Sequence, residues 1–157
     1  MDDAHVRQAR KEDLESILLL SDELTFSDLP YDREVDVAWA HTNNGKDYYS
    51  EKINERKGIC FVAEQNNKIV GYATAAEKEI PSYRKVKVVE LENLVVKKEK
   101  RGKRIGKMLL DAFMKWAKAT GAHRVSVNVF ALNEKGISFY RREGFLPFES
   151  ILEMHVK

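Results

Sequence analysis

From Val86 to Thr120 the chain spells a strand, a basic glycine-containing turn and a helix without a break. Val86 to Val96 is a long apolar strand. Lys97, Lys98, Lys100, Arg101, Lys103, Arg104 and Lys107 then crowd one stretch, relieved only by Glu99. Arg104 to Thr120 reads as a helix, with Ile105, Leu109, Leu110, Phe113, Trp116 and Ala117 on one side. Gly121 supplies its stop. Arg124 to Phe130 alternates Val125, Val127 and Val129 as the next strand. A strand–helix–strand crossover of this kind requires a sheet with a parallel part and helices packed on its faces.

The turn also constrains the ligand. A helix N-terminus carries unpaired N–H groups and a partial positive charge, so phosphates bind there readily. Gly102 and Gly106 let such a group approach the backbone, and the lysines and arginines add charge-assisted bonds. The pattern points to a phosphate-bearing ligand without identifying it. It excludes a P-loop, because Gly102 and Gly106 stand too close, and a dinucleotide fingerprint, because G-x-G-x-x-G is missing.

The rest of the chain completes one domain over residues 1–157, an ordinary domain size. His5 to Ala9 is a short strand. Lys11 to Leu24 places Leu14, Ile17, Leu18, Leu20 and Leu24 at helical spacing. Residues 26–57, with Pro30 and Asn43-Asn44-Gly45, predict one or two short helices with loops. Ile59 to Glu64 and Lys68 to Ala76 form a hairpin across Asn66-Asn67. Glu134 to Glu143 is a short helix stopped by Gly144, and Ile151 to Val156 is a closing strand. The order is β, α, a helical region, then β-β-β-α-β-α-β, an α/β chain with a mixed sheet.

The basic run is followed by a second pattern, and the two together carry a resemblance. Arg101-Gly-Lys-Arg-Ile-Gly106 after a strand resembles the coenzyme A signature of the GCN5-related N-acetyltransferases, [QR]-x-x-G-x-[GA]. Asn133-Glu-Lys-Gly-Ile-Ser-Phe-Tyr140-Arg-Arg-Glu-Gly144-Phe145 is similar to that family's second signature, N-x-x-A-x-x-x-Y-x-x-x-G-F. The resemblance covers most of the chain and is weakest over 26–57. It departs at Arg104, where the family has a glycine, and at Gly136, where it has an alanine. Either the side chain at 104 crowds a pyrophosphate, or the backbone there is helical, keeps its N–H available and adds a guanidinium contact; the second is the expectation carried forward.

The resemblance implies the acyl-CoA N-acyltransferase fold, a central mixed β-sheet flanked by helices. It implies acetyl transfer from acetyl-CoA, as co-substrate and with no metal, to a primary amine in a ternary complex. By the same resemblance the backbone of Leu94, Val95 and Val96 holds the acetyl carbonyl and pantetheine. Arg101, Gly102, Lys103, Arg104, Ile105, Gly106 and Lys107 hold the pyrophosphate, Asn133 contacts coenzyme A, and Tyr140 protonates the departing thiolate. Amine attack also needs a proton acceptor, since an alkyl amine is mostly protonated at neutral pH. Glu92 stands first for that role and Glu90 second. Two apart, both emerge on one face of the strand, which is expected to carry Val86, Val88, Leu94 and Val96 as well.

Other readings stand beside these. The same fold retaining acetyl-CoA without transfer is a sensor or interaction module. Nucleic-acid binding by the basic run is disfavoured, because few aromatics interleave with it and the net charge is only +2. Cys60, the single cysteine, lies in Ile59-Cys-Phe-Val and reads as a buried structural thiol. His5, His41, His123 and His155 lack metal-ligand spacing. Trp39, Tyr48 and Tyr49 line a pocket or simply pack. No apolar run spans a membrane, the N-terminus shows no secretion signal, and the setting expected is cytoplasmic. Acids in 22–36, with Glu77, Glu79, Glu90 and Glu92, favour a cationic acceptor. The resemblance also allows a homodimer.

Overall fold

The structure, a computed structural model, describes residues 3–157; Met1 and Asp2, where the N-terminal reading begins, lie outside it. Five strands form one sheet in the order of the chain: β1 His5–Gln8, β2 Ile59–Gln65, β3 Lys68–Glu77, β4 Val88–Val96 and β5 Arg124–Val127. The first four pair antiparallel, and β5 runs parallel to β4. The β2–β3 hairpin turns at Asn66 and Asn67, both at positive φ, the conformation a two-residue hairpin loop demands. The parallel pair is joined by α3, Ile105–Ala119, as the crossover pattern requires.

Alternation along the strands divides the core between two faces. Ile59, Ala63, Val70, Ala73, Ala75, Val89 and Leu91 pack against Ile105, Leu109, Leu110 and Phe113 of α3. Cys60, Val62, Tyr72 and Val95 point the other way. They meet α1, Leu14–Asp28, through Ile17 and Leu18, and α2, Asn43–Ile53, through Tyr49 and Ile53. The Cys60 thiol is fully buried there, and burial pushes its pKa up.

The difficult stretch at 26–57 resolves into the end of α1 and the whole of α2. Asn43-Asn44-Gly45 makes the first turn of α2 rather than a loop. The Thr42 side chain caps that turn by accepting from the Gly45 N–H at 3.2 Å. A β-carbon at Gly45 would meet the Trp39 carbonyl oxygen at 2.2 Å, so glycine is what lets α2 start against the preceding turn.

Three strand expectations change. A bulge in the β3–β4 ladder pairs Thr74 with Asn93 but the next residue, Ala75, with Leu91, leaving Glu92 as the extra residue. Strand parity therefore switches. Leu94 and Val96 join Leu91 on the α3 face, and Val95 lies on the α1/α2 face, so the single face expected for Glu90, Glu92, Leu94 and Val96 does not exist. β5 stops at Val127, three residues short of Phe130. Ile151 to Val156 forms no strand: the segment is exposed and enters no ladder among the described residues. Alternating apolar residues favour a strand only where a partner edge is in reach, and none is paired to them here.

Candidate functional site

A cleft opens where β4 and β5 part. They pair only over Val88–Leu91 and Arg124–Val127. β4 continues to Val96 while the other chain turns away at Asn128, so one edge of β4 is unpaired from the bulge onward. The resulting cleft has a volume of about 910 Å3. Leu94, Val95 and Val96 form its floor, the turn from Lys100 to Lys107 one end, and Tyr140, on α4 (Glu134–Arg142), a side wall. Leu24, Ser27 and Asp28 from α1, with Tyr31, close the opposite side.

At the end of the cleft formed by the basic turn, α3 begins without any side-chain cap. The first bonded amide of its opening turn is Met108, which donates to the Arg104 carbonyl at 3.0 Å. The N–H groups of Ile105, Gly106 and Lys107 are left for an anion. Gly102 has φ +75°, and Arg104 is left-handed as well, at φ 64° and ψ 7°. This corrects the expectation of helical backbone at 104. The region is one that glycine enters freely and that an L side chain enters only at a cost.

The basic side chains do not act alike. Arg101 donates through Nε to the Val96 carbonyl at 2.9 Å and lies 3.8 Å from Glu23. Lys107 is held by Asp111 at 3.1 Å and Glu143 at 3.2 Å, and these hydrogen bonds raise its pKa. The Arg104 side chain enters no hydrogen bond or ion pair among the described residues and lines the cleft, so its charge is available to a ligand, as are those of Lys100, Lys135 and Arg142. Lys103 is the only residue of the 101–107 run that does not line it. Lys135 and Arg142 of α4 do line it and were not read from the sequence; their i, i+7 spacing on a helix facing the turn was the available signal.

Asn133 and Tyr140 stand on the α4 side. The Asn133 side chain caps α4, accepting from the Gly136 N–H at 3.0 Å. A β-carbon at 136 would lie 2.7 Å from Asn133 Nδ2, so glycine in place of alanine gives this cap its room. The Tyr140 ring packs edge-on to Phe139 at 5.1 Å and Phe145 at 5.4 Å. Burial pushes its hydroxyl up to about 12, leaving it protonated at neutral pH and able to act as an acid.

The two carboxylates differ. Glu92, on the bulge, lines the cleft and Glu90 does not. Glu92 Oε2 accepts from the Tyr48 hydroxyl at 2.5 Å and meets Lys52 Nζ at 3.0 Å. The Tyr48 oxygen also accepts from Asn93 Nδ2 at 3.0 Å and lies 3.0 Å from Thr74 Oγ1. Burial first, and then the Glu92 charge, push the Tyr48 pKa well up, so the proton of the short contact stays on tyrosine. Lys52, only 5% exposed, donates also to the Lys57 carbonyl at 2.6 Å. Tyr48 thus touches a cleft carboxylate as well as packing against the core. Lys52 was not anticipated, although Tyr48 and Lys52 are four apart on α2 and share its face. Glu90 accepts from Asn128 at 2.9 Å and lies 3.4 Å from Lys78.

Aromatic rings meet across the mouth. Tyr31, beyond the end of α1, stacks on Phe130, beyond the end of β5, at 5.4 Å and 22°. Asp28 sits on the same side, its carboxyl pKa raised by burial and by the nearby Asp32. Among the described residues no cluster of three or more histidines, cysteines or carboxylates is placed to hold a metal ion, and no helix is long and apolar enough to cross a membrane.

Comparison with known proteins gives a consistent family. The sequence profile of the acetyltransferase (GNAT) family matches residues 13–145. An uncharacterized N-acetyltransferase of Methanocaldococcus jannaschii is 31% identical over 98 residues, covering 62% of this chain and 43% of that protein. One of Bacillus subtilis is 39% identical over 57 residues, covering 36% and 23%. The chain therefore spans less than half the length of these relatives. Among solved structures, aminoglycoside N-acetyltransferase AAC(6')-Iy, in complex with a bisubstrate analogue built on CoA, superposes with TM-score 0.77 at 18% identity, covering 99% of both chains. A mutant Bacillus halodurans protein superposes with TM-score 0.82 at 18% identity, covering 97% of this chain and 99% of that one. At these identities the structural likeness establishes the fold.

Proposed function

The chain belongs to the GNAT acetyltransferase family, and from that premise we propose that it transfers the acetyl group of acetyl-CoA to a cationic primary amine by direct attack. The observation that carries the reading is the joining, in one cleft, of an uncapped helix start, an unpaired strand edge, a carboxylate and a protonated tyrosine. Each answers one requirement of acetyl transfer. Pyrophosphate fits the free N–H groups of Ile105, Gly106 and Lys107, with Arg104 adding charge. The open edge of β4 at Leu94, Val95 and Val96 offers backbone groups to pantetheine and an N–H to the carbonyl oxygen. Gly102 and Asn133 border that path, and Arg101 braces the end of the strand.

Glu92 is the proposed proton acceptor, acting through a water, because its Oε1 remains free while Oε2 is held by Tyr48 and Lys52. Glu90 is the second choice, being outside the cleft. Acetyl-CoA supplies the thioester. The ammonium first gives one proton to the Glu92 side; the freed amine nitrogen bonds to the acetyl carbon, the carbon–sulfur bond breaks as Tyr140 gives its proton to sulfur, and the second proton lost from nitrogen restores the Tyr140 hydroxyl. Asp28, Tyr31 and Phe130 suit a cationic acceptor, with a carboxylate and two aromatic rings at the mouth. The similarity to aminoglycoside acetyltransferases supports an amine acceptor of this charge.

Thermal unfolding with and without acetyl-CoA, with ATP as control, tests the donor site. At about 100 times its dissociation constant the ligand adds roughly 2.7 kcal/mol. A shift specific to acetyl-CoA is the expected result; no shift at millimolar concentration would remove the reading.

A further inference from the structure

The bulge leaves Glu92 without a partner in the ladder to β3, so strand pairing does not set the direction of its side chain. A proton acceptor has to be held in one place to be effective, since a misplacement of about 1 Å can cost 10²-fold in rate. The direction therefore has to come from side chains. Three supply it: Asn93, which follows Glu92 and pairs with Thr74 in the ladder, and Tyr48 and Lys52 of α2.

Their hydrogen bonds all run one way. The Asn93 amide nitrogen carries two hydrogens, one given to Thr74 Oγ1 at 2.8 Å and one to the Tyr48 oxygen at 3.0 Å. Thr74, fully buried, is left to give its own hydrogen to the Tyr48 oxygen at 3.0 Å. With both acceptor positions of Tyr48 filled, its single hydrogen goes to Glu92 Oε2. Lys52 Nζ has only hydrogens to give. It donates to the Lys57 carbonyl and to Oε2, and lies 4.9 Å from the centre of the Tyr48 ring. The Lys52 side chain is 6% exposed and that of Glu92 27%, so the network is dry at its inner end and open at the carboxylate. Oε1 of Glu92 enters no hydrogen bond or ion pair among the described residues.

We infer that Tyr48, Lys52 and Asn93 are positioning residues that act through Glu92: together they occupy Oε2 and leave Oε1 as the oxygen that takes the amine's proton through the water. The inference rests on the reading of Glu92 as the proton acceptor. Every group that touches Oε2 is a donor already committed to it, so the network offers no inward path for a proton. A proton taken on Oε1 returns to the water of the cleft. The same contacts would also serve as a plain tie between α2 and the sheet. A tie of that kind would affect stability, and its loss would be felt whatever residue stood at 92. A positioning role is felt only while Glu92 is present.

Double-mutant cycles on kcat test it. Acetyl-CoA and a panel of alkyl diamines and aminoglycosides are the substrates, and the amine that the native chain acetylates fastest serves for every variant. Tyr48→Phe, Lys52→Met and Asn93→Ala should each lower kcat about 10–100-fold and leave the KM of acetyl-CoA within about twofold. Each variant should still be stabilised against heat by acetyl-CoA. Added to Glu92→Gln, each should change kcat by less than about twofold. Tyr48→Phe removes a single oxygen and carries the cycle alone if the other two variants do not fold. Losses that multiply onto that of Glu92→Gln, or a native kcat in Tyr48→Phe, would overturn the positioning role and leave the proton acceptor in place. A Glu92→Gln variant as fast as the native chain, or no acetylated amine from the native chain, would remove the proton acceptor and the positioning role together.

Discussion

Arg104 shows how one backbone conformation links stability to ligand binding. A side chain in the left-handed region costs about 1–2 kcal/mol, partly offset in any glycine replacement by the flexibility glycine adds to the unfolded chain. Arg104→Gly is therefore expected to raise stability by up to about 1 kcal/mol, or about 2–4 °C in melting temperature. The same change should weaken acetyl-CoA binding, since the guanidinium without an internal partner is lost. Calorimetry and the KM for acetyl-CoA check the two halves separately. Tyr140 makes a second prediction. Tyr140→Phe should lower kcat by about 10²–10⁴. With its pKa moved from 10.0 to about 12, the native acid stays protonated past pH 10. A kcat profile should show no loss attributable to it below that point. The sign for stability agrees: a group whose folded pKa is raised contributes fully below pH 10, and that contribution disappears between pH 10 and about 12.

At the scale of elements, the strand–turn–helix at 86–120 was readable because each of its signals is local. Periodicity marked β4 and α3, and a basic glycine turn marked the junction. The bulge at Glu92 was not readable. It depends on how β4 aligns with β3, and a one-residue slip moves every later side chain to the other face. That slip separates Glu92 from Leu94 and Val96 and sets Glu92 beside Asn93 on the side of α2. α2 itself was hidden by a polar composition whose mean hydropathy argues for a loop; its stability comes from Tyr49 and Ile53 in the core, a tertiary effect. Its position rests on Gly45. Gly45→Ala forces a β-carbon onto the Trp39 carbonyl and should cost about 1–3 kcal/mol. Because α2 carries Tyr48 and Lys52, a fall in kcat should accompany the loss of stability. Denaturant unfolding and steady-state kinetics on the one variant check both.

Over the whole molecule, charge is divided by function although the net value is only +2. Basic residues gather at the end of the cleft where α3 starts, while Asp28 and Glu92 occupy the α1 and α2 side. A donor with phosphates and an acceptor with a positive charge are thereby directed to opposite approaches. Asp28→Asn should raise the KM of a cationic amine about two- to fivefold, the scale of a partly exposed ion pair, and leave the KM of acetyl-CoA unchanged. The closing segment failed as a sequence expectation for a reason at this scale. Its alternation is strand-like, but among the described residues no strand edge pairs with it.

The most direct measurement is mass spectrometry of a set of primary amines incubated with the protein and acetyl-CoA, alongside the variant Glu92→Gln. Acetylated product from cationic amines, dependent on the protein and reduced about 10²–10⁴-fold by the substitution, is the predicted result. Tight binding of acetyl-CoA with no acetylated amine at any pH between neutral and 10 would contradict the account and leave a binding module in its place.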